Sequence, residues 1–197
     1  MIAYIDGKLT HKEAAYVIIE ANGVGYEIKI SLNTYSHLKL DERCKLLTHM
    51  HVREDAQILY GFLEASEKKM FLDLISVSGI GPNTGLAILS SADPEELKSN
   101  IITENVKAIQ AIKGIGAKTA QRLILELKDK LKKDGLIGGT NLLSKPSHNT
   151  VKNEALSALV TLGIQKNIAE KSIDAILKKE GDDVPLETLI KLALRTG

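Results

Sequence analysis

Ser78-Gly79-Ile80-Gly81-Pro82-Asn83-Thr84 is echoed thirty-five residues later by Lys113-Gly114-Ile115-Gly116-Ala117-Lys118-Thr119, and each copy lies between two helix-like stretches. Glycine on both sides of the isoleucine suits a turn that reaches positive φ and lets the backbone come close to a ligand, where a Cβ would obstruct. The isoleucine itself is expected between the flanking helices. A helix start follows: Pro82 fits a first helical position, and the unpaired N–H groups there, with the positive end of the dipole, suit a phosphate oxygen. Such contacts fix position without reading bases. A single Gly-X-Gly turn is an ordinary loop, whereas two equivalent turns on one compact unit can hold neighbouring phosphates of a duplex. The pair therefore points to a clamp on a nucleic-acid backbone, with Gly79, Gly81, Asn83, Thr84, Gly114, Gly116, Lys118, Thr119 and Arg122 as candidate DNA contacts.

Nucleotide-binding loops fit worse. A Walker loop needs glycine directly before lysine, and here Ala117 separates Gly116 from Lys118. The dinucleotide pattern fails as well, since Thr84 and Thr119 stand where its third glycine would be.

The chain has 197 residues, is 44% hydrophobic and carries a net charge of +1, so it can bury real cores but has no global basic field. Positive charge is local. Lys113, Lys118, Arg122, Lys128, Lys130, Lys132 and Lys133 face only Glu126 and Asp129 in the stretch after the second hairpin, although a solvated helix face explains the last four lysines equally well. Cys44 is the only cysteine, which excludes an internal disulfide or a cysteine-rich zinc site and agrees with a reducing cytoplasm. No leader and no membrane span is read from the sequence.

Residues 1–63 read as β. Ala15 to Glu20 and Val24 to Ile30 flank Asn22-Gly23, a two-residue hairpin signal; a short helix is expected after Asn33, then strands over Lys45 to Val52 and Gln57 to Phe62. Five strands and one helix suggest a small closed barrel of the oligonucleotide-binding type. The chain has no Trp and 4% aromatics, so Tyr4, Tyr16, Tyr26, Tyr60 and Phe62 read as barrel packing rather than a base-stacking platform. Residues 64–133 read as helical, with Asp93-Pro94-Glu95-Glu96 marking a helix start and Ala120, Leu123, Ile124, Leu127 and Leu131 marking one apolar face. Glycines, serines and Pro146 make 134–150 a flexible linker. Residues 151–197 give three short amphipathic helices, a bundle marginal by itself and suited to docking a protein partner.

In this order the barrel, the paired hairpins, the linker and the helical tail resemble the RuvA family of Holliday-junction recognition subunits over the full chain. The most specific pieces are Val52-Arg53-Glu54-Asp55-Ala56-Gln57-Ile58-Leu59-Tyr60-Gly61-Phe62, Gly79-Ile80-Gly81-Pro82 with Leu86-Ala87-Ile88-Leu89, and Gly114-Ile115-Gly116 with Lys118-Thr119-Ala120 and Arg122-Leu123-Ile124. The resemblance implies an α+β multidomain chain: an OB-fold barrel over 1–63, a double helix-hairpin-helix domain over 64–133, a flexible linker over 134–150 and a UBA-like three-helix bundle over 151–197. It further implies a non-catalytic, cytoplasmic homotetramer, sometimes two stacked as an octamer, that holds a four-way junction open and flat in recombination and repair. No cofactor is implied. The tail would recruit the hexameric RuvB ATPase, and the RuvC resolvase would join the complex. Apolar residues left outward on the tail's short helices, among Leu162, Ile164, Leu189 and Leu192, are candidate contacts for the motor, with core packing the alternative for each. Glu54 and Asp55, which read cold are a polar turn, match the family's acidic pin. Asn83 and Ala117 stand where a lysine is usual, which implies fewer charged phosphate contacts per subunit.

The competing class is a structure-specific nuclease or a glycosylase-like enzyme bearing the same hairpins. A glycosylase needs a base pocket and a catalytic acid after the hairpin, and Asp129 in its lysine-rich helix is better explained as a charged face. A metal-dependent nuclease needs converging carboxylates, and neighbouring residues at a turn tip do not converge. His49 and His51 share a strand face but have no evident third ligand.

Overall fold

The computed structural model describes residues 1–137, 148–181 and 184–195. Two compact units divide the chain, Met1–Gly138 and Gly139–Gly197.

The first unit opens with five strands, β1 (Tyr4–Lys12), β2 (Tyr16–Ala21), β3 (Val24–Ile30), β4 (Arg43–Val52) and β5 (Gln57–Phe62), closed into a barrel in the order β1-β2-β3-β5-β4. Antiparallel ladders join all neighbours except β3 and β5, whose parallel pairing of Ile28 with Leu59 and Ile30 with Gly61 closes the ring. Asn22 and Gly23, at φ 51° and 80°, make the expected hairpin turn. Alternation sends Val17 and Ile19 of β2 and Ile28 and Ile30 of β3 inward, where they meet Ile5, Leu9, Leu46 and Leu59. The short helix α1 (Leu32–His37) begins before Asn33, because the hydroxyl of Ser31 accepts the Thr34 N–H at 3.0 Å and caps it there.

Tyr60 and Phe62 do not fill the barrel. They leave its outer wall and join the core of the helices that follow, where Phe71 packs 5.2 Å from Tyr60 and 4.9 Å from Phe62 between ring centroids. Such aromatic pairs add about 0.5–1.5 kcal/mol each beyond the area they bury. A second joint is polar. Glu67 is buried and its carboxylate accepts the hydroxyls of Ser31 and Thr34, the latter at 2.7 Å, so the barrel's own helix holds α2 (Ala65–Ser76). Hairpins on these helices are therefore carried by the barrel as one body.

After α2 come α3 (Pro82–Ser91), α4 (Pro94–Ile102), α5 (Val106–Gln110) and α6 (Ala117–Ile137). Asp93 caps α4 as its sequence signals, accepting the Glu95 N–H at 2.9 Å. On α6 the residues Ala120, Leu123, Ile124, Leu127 and Leu131 are all buried in one stripe. This helix runs on through Ile137, into the span expected as linker, and α7 (His148–Thr161) already begins at His148. The intervening residues of that expected linker lie outside the described residues.

In the second unit α7, α8 (Lys166–Glu180) and α9 (Leu186–Arg195) share a core of Ala155, Leu159, Ala169, Ile173, Ile176, Leu189 and Ala193. Leu189 is wholly buried in that core, so of its two readings core packing holds rather than partner contact. Ile164 and Leu192 are half-buried against the same core. Leu162, just past the end of α7, is 62% exposed.

Candidate nucleic-acid interface

The two hairpins repeat one geometry. In the first, the Ile80 N–H donates to the Val77 carbonyl at 3.0 Å and the Gly85 N–H to the Gly81 carbonyl at 2.9 Å; in the second, Ile115 donates to Ile112 at 3.1 Å and Ala120 to Gly116 at 2.9 Å. Ile80 and Ile115 are both buried in the helical core, so each turn is pinned by its central side chain. Gly79 and Gly114 take φ of 92° and 93°, a region that L-residues enter only at a cost.

Their partners differ, and here the structure corrects the expectation that both glycines need positive φ. Gly81 is an extended helix cap at φ −82° and ψ 169°, and Gly116 is absent from the positive-φ glycines. A Cβ built on either would meet nothing within 4 Å. Neither backbone strain nor packing within the protein demands glycine at these two positions. Glycine caps a helix better than alanine, and the open space beside each also leaves room for something outside the protein to approach the turn.

Charge is distributed unequally. Lys113 and Lys118 flank the second hairpin, are exposed and form no ion pair among the described residues. Lys128 instead pairs with Glu104, and Lys130 with the buried carboxylate of Asp73 at 2.5 Å, so these two lysines of the basic stretch are structural. Arg122 has a dual role: its guanidinium donates to the Ser78 carbonyl at 3.3 Å, across to the first hairpin, and lies 3.8 Å from Glu126. It thus braces one hairpin against the other while remaining exposed. In the first hairpin Asn83 carries no charge, and its Oδ1 accepts the Tyr60 hydroxyl at 3.1 Å. No spacing rule signals that bond, because its partners belong to a strand and a helix that meet only in the folded unit. Thr84 and Thr119 are half-buried at equivalent places.

Glu54 and Asp55 sit at the exposed tip between β4 and β5, which closes through the Arg53 N–H to the Ala56 carbonyl at 2.8 Å. Asp55 lies 3.4 Å from the Arg53 guanidinium, a solvent-exposed pair, and Glu54 stands beside it. His49 packs on Phe71 rather than facing a ligand, with 5.8 Å between ring centroids. Its pKa is held below the usual histidine range, first by burial and then by His51 and Lys68. Among the described residues no group of three or more His, Cys, Asp or Glu side chains is placed to hold a metal ion, and no helix is long and apolar enough to cross a membrane.

Three family models match in sequence order: the RuvA N terminal domain over residues 1–61, the SAM-like helix-hairpin-helix tandem over 71–129, and the RuvA C-terminal domain over 150–196. The chain is 54% identical over 197 residues, 99% of each chain, to a protein of Cytophaga hutchinsonii described as Holliday junction branch migration complex subunit RuvA. Proteins of the same description from Amoebophilus asiaticus and Citrifermentans bemidjiense are 46% and 40% identical, with at least 98% of each chain covered. With barrel, doubled hairpin and helical tail all matched in order and at this identity, the chain belongs to the RuvA family.

Proposed function

We propose that this chain binds four-way DNA junctions without reading their sequence, holds them open and planar, and recruits a hexameric RuvB ATPase that drives branch migration. The observation that carries the reading is the pair Gly81 and Gly116, glycines that the protein's own backbone and packing do not require. Phosphates seated at these turns receive backbone N–H groups at the starts of α3 and α6. At the second hairpin they also meet Lys113 and Lys118. Backbone contacts of this kind supply affinity and register with no base information.

The chain acts as a homotetramer, and two tetramers can face each other as an octamer around the junction. Four copies bring four Glu54–Asp55 tips to the centre. Each carboxylate about 10 Å from a phosphate contributes roughly 0.4 kcal/mol of repulsion even in bulk water, and more where water is displaced. The sum favours strand separation at the crossover while the hairpins hold the arms, so the acids steer and do not catalyse. The tail unit docks the motor through exposed apolar residues around the α7–α8 turn, Val160, Leu162 and Ile168, in place of the buried Leu189. RuvC resolvase joins the same assembly, in the cytoplasm.

Junction affinity measured across a salt series tests the phosphate assignment. Lys118→Ala and Lys113→Ala should weaken binding to every junction sequence, and each should lower the slope of log affinity against log salt by about 0.9 for every phosphate left without its cation. Unchanged affinity and slope in the double variant would contradict it.

A further inference from the structure

The internal repeat places Asn83 where the second hairpin has Lys118, so the two clamps of one subunit are chemically unequal. We propose that Tyr60 is a positioning residue: its hydroxyl fixes the Asn83 amide so that the NH2 group becomes an oriented, uncharged phosphate donor at the first hairpin. This rests on the hairpins binding phosphate.

Tyr60 is 1% exposed, and its ring is wedged against Phe71 at 5.2 Å, so the hydroxyl cannot swing away. It donates to Asn83 Oδ1 at 3.1 Å. A phenol is protonated at neutral pH, and here its O–H points to the amide oxygen. A phenol that donates selects the carbonyl oxygen of the amide, and the amide's two N–H donors then face away from the barrel. Asn83 is exposed two residues past Gly81, beside the N–H groups of the first turn of α3. Donating from Tyr60 also polarises the amide and strengthens its own N–H donors. A lysine at this place would search many rotamers and displace counterions; the tethered amide is already oriented and displaces none. Each subunit thus pairs one salt-sensitive clamp with one salt-insensitive clamp.

The test uses the full-length protein and a fluorescent four-way junction, with affinity measured by anisotropy over a salt series. Tyr60→Phe keeps the packed ring and removes only the hydroxyl. It should weaken binding about two- to tenfold with the salt slope unchanged. Asn83→Ala should weaken binding at least as much, and the double variant should be no weaker than Asn83→Ala alone. Asn83→Asp separates orientation from mere support, because it keeps an acceptor for Tyr60 while aiming a carboxylate oxygen at the phosphate. It should bind worse than Asn83→Ala. Wild-type affinity in Tyr60→Phe, multiplying effects in the double variant, or wild-type affinity in Asn83→Asp would each overturn the proposal. Lys118→Ala run in parallel should reduce both affinity and slope; if it reduces neither, the phosphate reading fails rather than the tether.

Discussion

Replacing the two glycines of one hairpin separately divides what the fold needs from what the DNA needs. At Gly79 the backbone stands at φ 92°, so an alanine there incurs about 1–3 kcal/mol of strain, offset by about 0.4–1 kcal/mol from a less disordered unfolded chain. A net loss near 1 kcal/mol lowers the melting temperature of the unit Met1–Gly138 by roughly 3–5 °C. At Gly81, φ −82° and ψ 169° are open to alanine, and a Cβ meets nothing within 4 Å. The same entropic gain is there opposed by the poorer helix-capping of alanine, about 0.5–1 kcal/mol, and the sum is close to zero. Binding should respond in the reverse sense. A methyl group projecting into that open space narrows the approach of a phosphate to the turn, and each charge-assisted bond lost is worth about 1.5–3 kcal/mol, at least tenfold in affinity. Thermal melts paired with junction titrations read both effects, and Gly114→Ala and Gly116→Ala should repeat the pattern. A Gly81→Ala protein that melts as early as Gly79→Ala, or that binds junctions like the wild type, would refute the reasoning.

Glu54→Gln with Asp55→Asn should leave the melting temperature unchanged and keep or raise affinity for linear duplex while selectivity for junctions falls; loss of binding to every DNA would show the tip to be structural. Truncation after Ile137 spares α6 and both hairpins, so the fragment should assemble and bind junctions but fail to support migration by the matching ATPase, as a migration assay would reveal. His49 has a folded pKa below its unfolded value near 6.5, so the unfolded chain takes up its proton first as pH falls. Stability present above that value is therefore lost on acidification through it toward the folded pKa. Denaturation at pH 7.5 and 5.5 should show this loss shrinking in His49→Gln.

The hairpins, the barrel and the tail helices were legible because each rests on local rules: the Gly-Ile-Gly repeat, the Asn22-Gly23 turn, the Asp93-Pro94 cap and the apolar stripe of α6 all act within a few residues. What escaped was non-local. Tyr60 and Phe62 alternate along β5 like barrel residues, and only the docking of α2 turns them into the joint with the helices. The Arg122 brace to Ser78 and the Tyr60 bond to Asn83 join residues far apart in sequence, so no window contains them. Of the two reasons expected for these glycines, positive φ applies at Gly79 and Gly114 and not at Gly81 and Gly116, and sequence does not show which position needs which. On α9, Leu189 and Ala193 are buried as the apolar face of an amphipathic helix should be, and sequence alone does not choose between that core and a partner surface.

A gel-shift comparison of a four-way junction with a linear duplex of equal length and base composition tests the central claim most directly. The full-length protein should retain the junction at concentrations that leave the duplex free, and the preference should persist when the arm sequences are exchanged. Equal retention of both DNAs, or a preference that follows the sequence of the arms, would contradict the account.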